Sequence, residues 1–152
     1  MNYWLFKTEP DECSIDDFAN APDTPVVWEG VRNYQARNYL RDDVSVGDQV
    51  FIYHSSCKDI GIAGIARVVR AAYPDPSQFD RSSIYFDQKS TTINPRWIAV
   101  DLIFVSKFPQ LIRLDKLKTL ANLVELPVVR KGNRLSVMPV TCAEWRTILA
   151  LT

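Results

Sequence analysis

Gln49-Val50-Phe51-Ile52-Tyr53-His54-Ser55 and Gly61-Ile62-Ala63-Gly64-Ile65-Ala66-Arg67-Val68-Val69-Arg70 are the two stretches that decide the fold. Each is of strand length, and a short polar turn containing Lys58-Asp59 separates them. Their apolar residues fall on both faces. The strands are therefore either buried on both sides or part of a closed barrel. Further along, Ile98, Val100, Leu102 and Phe104 give the clearest period-two pattern in the chain. Before them, Tyr3 to Thr8 reads as another strand, stopped by Glu9-Pro10.

Helical signals are shorter. Ser14 with Asp17 three residues on predicts an N-cap for one or two turns. A Pro-rich link, Ala21 to Pro25, leads to Val26-Val27-Trp28, and residues 31–42 favour a helix ended before Val46-Gly47-Asp48. Residues 111–124 read as helical, with Leu114, Leu117 and Leu120 at spacing three. Ser136–Val140 makes a last short strand, and Thr141 with Glu144 forms a capping box for a helix holding Trp145 and Ile148. Between Tyr73 and Trp97 lies a long stretch with three prolines and no clean period, the kind of segment that is usually functional or mobile.

Length and composition bound the function. A chain of 152 residues suits one domain, spanning 1–152, and 47% hydrophobic against 24% charged residues is ordinary for a globular protein. Eighteen basic residues balance eighteen acidic ones, so net charge gives no hint of a partner. The distribution leans slightly: residues 101–152 carry eight Lys/Arg against four Asp/Glu, and the rest ten against fourteen. Three scattered cysteines and one histidine have no metal-site spacing and fit a reducing compartment. Neither a signal peptide nor a membrane-length apolar run is readable. These features predict a soluble intracellular protein with neither metal nor cofactor, cytoplasmic in a bacterium or nuclear in a eukaryote.

Five places could carry chemistry. On the 31–42 helix Tyr34, Arg37 and Arg41 share the face away from the core, with Asn33 nearby, which suits phosphate contact and base stacking; a solvated face is the plain alternative. Trp28, on a strand-to-helix loop, is a stacking wall or simply core. His54 and Ser55 end a buried strand, and alternation sends them to opposite faces, so they read as hydrogen-bonding groups rather than a base and nucleophile. Trp97 either closes a pocket across from Trp28 or plugs its own loop. Arg130-Lys131-Gly132-Asn133-Arg134 is a basic turn suited to an anion, or a solvated hairpin turn. No phosphate-binding or dinucleotide fingerprint occurs, which favours binding over cofactor chemistry.

Several strings together resemble the EVE domain, in its thymocyte nuclear protein group. They are Tyr3–Pro10, Trp28–Asn38, Tyr53-His54-Ser55, Gly61–Ile65, Ala72-Tyr73-Pro74-Asp75 and Gly132–Val137, in family order over essentially the whole chain. The resemblance implies an α+β fold of PUA-like type, a mixed, curved β-barrel flanked by short helices and related to YTH domains. It also implies a binding module for a modified base in DNA or RNA, with 5-methylcytosine-type bases the leading candidate. By the same resemblance Trp28, Arg32, Asn33, His54, Ser55 and Trp97 line the pocket, and Lys7 and Thr8 sit near its floor. From the exposed helix face and the basic turn, Tyr34 is expected to join them as a stacking residue, and Arg37, Arg41, Arg130, Lys131 and Arg134 to hold the nucleic-acid backbone.

Two other classes compete. A small-ligand or free-nucleobase module would use the same pocket without phosphate contacts, so its affinity would not fall steeply with salt. An enzyme acting on a base would need a placed acid or base, and Asp101 is the one strand-central carboxylate available.

Overall fold

The computed structural model describes residues 1–152. In chain order the elements are β1 (Tyr3–Thr8), α1 (Ile15–Ala19), β2 (Val26–Trp28), α2 (Tyr34–Asp42), β3 (Gln49–His54), β4 (Gly61–Pro74), β5 (Ile98–Arg113), α3 (Leu114–Lys118), β6 (Val137–Val140) and α4 (Cys142–Leu149). The six strands form one sheet in the order β2-β5-β4-β3-β1-β6. Only β1 and β3 run parallel, because the chain between them crosses over through α1, β2 and α2; every other pair is antiparallel.

The expected barrel does not form. Closure would require the edge strands β2 and β6 to pair, and they do not. The β3 and β4 runs are instead buried on both faces by helices, the other arrangement their sequences allow. On one face Trp4 meets Tyr39 of α2 and Phe6 meets Trp28, with ring centroids 5.6 and 5.4 Å apart. On the other, Trp145 of α4 stacks on Tyr3 at 4.6 Å and on Phe51 at 3.7 Å. Curvature comes from β4 and β5, whose ladder shifts register four times along its length. Such irregularities bend the strands and increase their twist.

Three boundaries depart from the sequence reading. Helix α2 starts at Tyr34 rather than Val31, because the Asn33 side chain accepts the Ala36 N–H and caps it there. Strand β4 continues to Pro74, and β5 to Arg113. The leucine spacing at 114–120 therefore yields only the five-residue α3, followed by short 3-10 turns. A partner strand was available: Ile62 pairs with Ile112 and Gly61 with Arg113, and tertiary pairing outweighs local helix preference.

The segment after β4 is held from within. The fully buried Gln78 donates to the carbonyls of Asp75 and Trp97, and its Oε1 accepts from Ser90, Arg96 and Trp97. Few side chains satisfy so many backbone groups, and without them an irregular loop would leave its amides unpaired. No helix is long and apolar enough to cross a membrane.

Candidate functional site

A cavity opens at the unclosed seam of the sheet. It has a volume of about 630 Å³, and its walls come from both unpaired edges: Val26, Val27 and Trp28 of β2 on one side, Ser136 just before β6 on the other. Lys7 and Thr8, at the end of β1, lie between. Four carboxylates, Glu9, Glu12, Asp17 and Glu29, also face it, against the single cation Lys7.

Trp28 is only 6% exposed, packed against Phe6 and Phe18. Its indole N–H donates to no protein group, yet no buried polar side-chain atom in the chain lacks a partner. The N–H therefore opens on the cavity that Trp28 lines. What this residue offers a ligand is a hydrogen-bond donor at its edge more than a free ring face.

Opposite stands Tyr85, delivered by the long loop. Gly30 has φ +83°, and a Cβ there would lie 2.6 Å from the Tyr85 ring, so only glycine lets the ring lie flat on the backbone. The Tyr85 hydroxyl donates to Glu12, which ties the loop to the segment after β1. Burial first, then that carboxylate, pushes the phenol above its ordinary range. Burial also lowers the Lys7 ammonium and raises Glu29, where the nearby Asp75 charge adds to the effect. Cys13 faces the cavity as a thiol pushed up to about 11, by burial and then by Asp17 and Glu12.

Arg32 stands behind this wall rather than in it. Its guanidinium donates to Asp75 at 2.9 Å, to Ser77, to the Val31 carbonyl and twice to the Tyr85 carbonyl. All five of its donors are used, two of them on the Tyr85 carbonyl. The guanidinium also lies over the Tyr85 and Trp97 rings, 5.4 and 5.3 Å from their centroids. Trp97 is buried, donates to Asp87 and stacks on Tyr34 at 4.9 Å, and Arg37 covers Tyr34 in turn at 4.8 Å.

Of the residues singled out from sequence, Lys7, Thr8, Trp28 and Ser55 meet in the cavity. Tyr34, Arg32 and Trp97 form the stack beside it, and Asn33 caps α2. His54 turns the other way from Ser55, as strand alternation requires, and its Nε2 accepts the Ile15 N–H at the start of α1. Asp101 accepts from the Tyr73 hydroxyl at 2.5 Å and does not reach the cavity. Sequence reading missed Tyr85 and the four carboxylates. The glycine after Trp28-Glu29 was the only available signal for the Tyr85 contact, and it names no partner.

The basic residues divide. Arg37 donates to the Arg96 carbonyl and to Asn38, Arg41 chelates its neighbour Asp42, and Arg130 pairs with Glu125. Lys131 and Arg134 form no ion pair, the chain's ion pairs lying elsewhere. Arg130 and Arg134 line a second groove of about 420 Å³ with Asn33, Gln35, Gly132 and Asn133. That groove contains no carboxylate, and it abuts the cavity along the chain at residues 31–33 and 134–136.

Known proteins share this arrangement of elements. Residues 2–151 match the EVE domain. Thymocyte nuclear protein 1 of Gallus gallus is 39% identical over 98% of this chain and 68% of its own. A Pseudomonas putida protein of known structure superposes with a TM-score of 0.94 at 57% identity, covering 98% of both chains. Human THYN1 in complex with 5-methylcytosine-containing DNA gives 0.92 at 38% identity, covering 99% of this chain and 97% of the other.

Proposed function

This chain belongs to the EVE-domain family, and from that membership we propose that it is a non-enzymatic reader of a modified base in nucleic acid, of the 5-methylcytosine type. The observation that carries the reading is the chemistry of the cavity: a space for one base, with acceptors, donors and an apolar wall in one place. Carboxylates accept from the exocyclic amine of cytosine, whereas thymine would turn a carbonyl oxygen toward them. Lys7 and the Trp28 N–H donate to the ring nitrogen and carbonyl that cytosine presents as acceptors. Val26 and Val27 give a substituent at C5 an apolar surface, worth about 0.8 kcal/mol for one methyl. Tyr85 supplies the aromatic contact, and such stacking contributes about 1–3 kcal/mol per base.

Charge sorts the parts of the nucleotide. Four carboxylates repel phosphate from the cavity, while Arg130, Lys131 and Arg134 attract it to the neighbouring groove and turn. Arg37 and Arg41 extend that basic edge once they leave their local partners. A reader of this kind works wherever its nucleic acid is, in bacterial cytoplasm or a eukaryotic nucleus. Against catalysis stand two facts: the Cys13 thiol, raised to about 11, holds little thiolate at neutral pH, and Asp101 is engaged by Tyr73 away from the cavity.

Binding to matched oligonucleotides with cytosine or 5-methylcytosine, at two salt concentrations, tests the reading. Trp28→Phe keeps an aromatic ring between Phe6 and Phe18 and removes the N–H together with the five-membered part of the indole. We expect modified strands to bind more tightly, and Trp28→Phe to weaken that binding by roughly 0.5–1.5 kcal/mol, the net worth of one hydrogen bond. Equal binding of both strands by the native chain, or a Trp28→Phe variant indistinguishable from it, would overturn the assignment.

A further inference from the structure

The loop that delivers Tyr85 carries a second feature that base capture leaves unused. Ile84, its immediate neighbour, stands at the cavity mouth and is 86% exposed. A single exposed isoleucine is unremarkable by itself. This one is not on a free tip: upstream the loop leaves the buried Ser77 and Gln78, with Ser77 held by Arg32, and downstream it is anchored directly after Ile84. Tyr85 is clamped by Arg32 and Glu12, and the chain beyond is pinned through Asp87 to Trp97 and through Ser90 to Gln78. A branched apolar side chain is thus held rigidly in water beside a cavity sized for one base.

The charges around it fit the same partner. Arg81 and Lys89 flank Ile84 in sequence, and both are exposed with no ion pair. The acids of the loop are occupied instead: Asp80 accepts from Ser82, and Asp87 from Trp97 and the Lys89 N–H. The segment therefore offers two unpaired cations on either side of a rigid apolar point.

We propose that residues 81–89 form a strand-opening wedge, and that the protein takes its base from a duplex. Ile84 enters the base stack at the position vacated by the extruded nucleotide, while Arg81 and Lys89 hold the flanking phosphates. A base can reach the cavity from a duplex only by leaving the stack, at a cost of a few kcal/mol of unstacking and unpairing. Apolar side chains inserted at such steps are a recurrent way to offset that cost. A single strand has no such gap to fill.

The proposal rests on the reading of the cavity as a base pocket, and the test separates the two. The same 5-methylcytosine sequence is presented as a duplex and as a single strand to the native chain, Ile84→Ala, Ile84→Asp and Arg81→Gln/Lys89→Gln. Because Ile84 is exposed, its variants should melt within a few degrees of the native chain. Ile84→Ala is expected to weaken duplex binding about tenfold or more and single-strand binding less than about twofold, and Ile84→Asp to weaken duplex binding further. The double charge variant should weaken both and lower the salt dependence of each. Unchanged duplex affinity in Ile84→Ala, or equal loss on both substrates, overturns the wedge while leaving the pocket intact. Failure of the native chain to distinguish cytosine from 5-methylcytosine in either substrate overturns the pocket instead.

Discussion

Two concave surfaces share the same stretches of chain and carry opposite charge. The cavity at the sheet seam takes Trp28 to Val31 and Ser136 and is lined by four carboxylates and one lysine. The groove next to it takes Asn33, Gln35, Arg134 and Leu135 and holds two arginines with no acid. They also differ in how they are built. The cavity wall is fixed by buried aromatic packing and by a guanidinium with every donor used, whereas the groove is edged by a turn with Gly132 in the left-handed region. An acidic pocket beside a basic groove divides what a reader must do into two tasks. On the proposed reading, discrimination belongs to the cavity and attraction to the groove.

The strongest way to break this comparison is to loosen the cavity wall alone. Arg32→Met removes five hydrogen bonds and leaves the Asp75 carboxylate buried without its cation. Breaking a buried pair typically costs about 3–5 kcal/mol. The Arg32 side chain is 23% exposed, and Asp75 keeps its bonds from Gly30 and Ser77, so we expect about 2–3 kcal/mol here. Chemical denaturation measures the loss. Base discrimination should fall with it, because Tyr85 is no longer held, while the salt dependence of binding stays as in the native chain. If salt dependence drops as much as discrimination does, the two surfaces are not separable.

A smaller effect sharpens the other side. Arg134 has no ion-pair partner, so Arg134→Gln should lower the slope of log affinity against log salt by about 1 on duplex DNA, with discrimination between cytosine and 5-methylcytosine preserved. Arg41, which chelates Asp42, is the control: its release from that partner offsets what a phosphate returns, and Arg41→Gln should change the slope by less. Titrations at three salt concentrations decide both. A larger change for Arg41 than for Arg134 would move the phosphate track from the groove to the far end of α2.

The same division explains what could be read in the sequence. Strands β1, β3 and the start of β4 were legible because unbroken apolar runs must be covered on both faces. The N-cap at Ser14 and the capping box at Thr141/Glu144 were legible because they are local signals, and in the fold both sites form full capping boxes. Whether the sheet closes depends on whether its two edge strands pair with each other, which neither strand's own sequence states, so the barrel was expected where a seam exists. Trp28 announced itself as a large aromatic after a strand. Tyr85 did not, since its place depends on Arg32 and Glu12, 53 and 73 residues away. The acidity of the cavity was hidden for a related reason. Glu9, Glu12 and Asp17 follow β1 while Glu29 follows β2, and neither the spacing nor the balanced net charge shows that they gather around one space.

The smallest expected effect uses pH to move one surface and not the other. His54 is the chain's single histidine, and its Nε2 accepts the Ile15 N–H at 3.1 Å, so the folded protein needs the neutral ring with its proton on Nδ1. Burial, with Lys107 adding to it and Asp16 opposing it, holds its pKa below the ordinary value of about 6.5. The unfolded chain then binds the proton first. Stability is full above about pH 6.5 and falls as pH drops from there toward the folded-state pKa. What loosens is the start of α1, whose neighbours Cys13 and Asp17 face the cavity, while the arginines of the groove keep their charge throughout. Denaturation midpoints should therefore decline between pH 6.5 and 5.5 in the native chain and stay nearly flat in His54→Gln, whose amide oxygen can still accept from Ile15. Over the same range discrimination should weaken before salt dependence changes. An equal decline in both proteins would assign the pH response to the carboxylates instead, and remove His54 from any part in shaping the cavity.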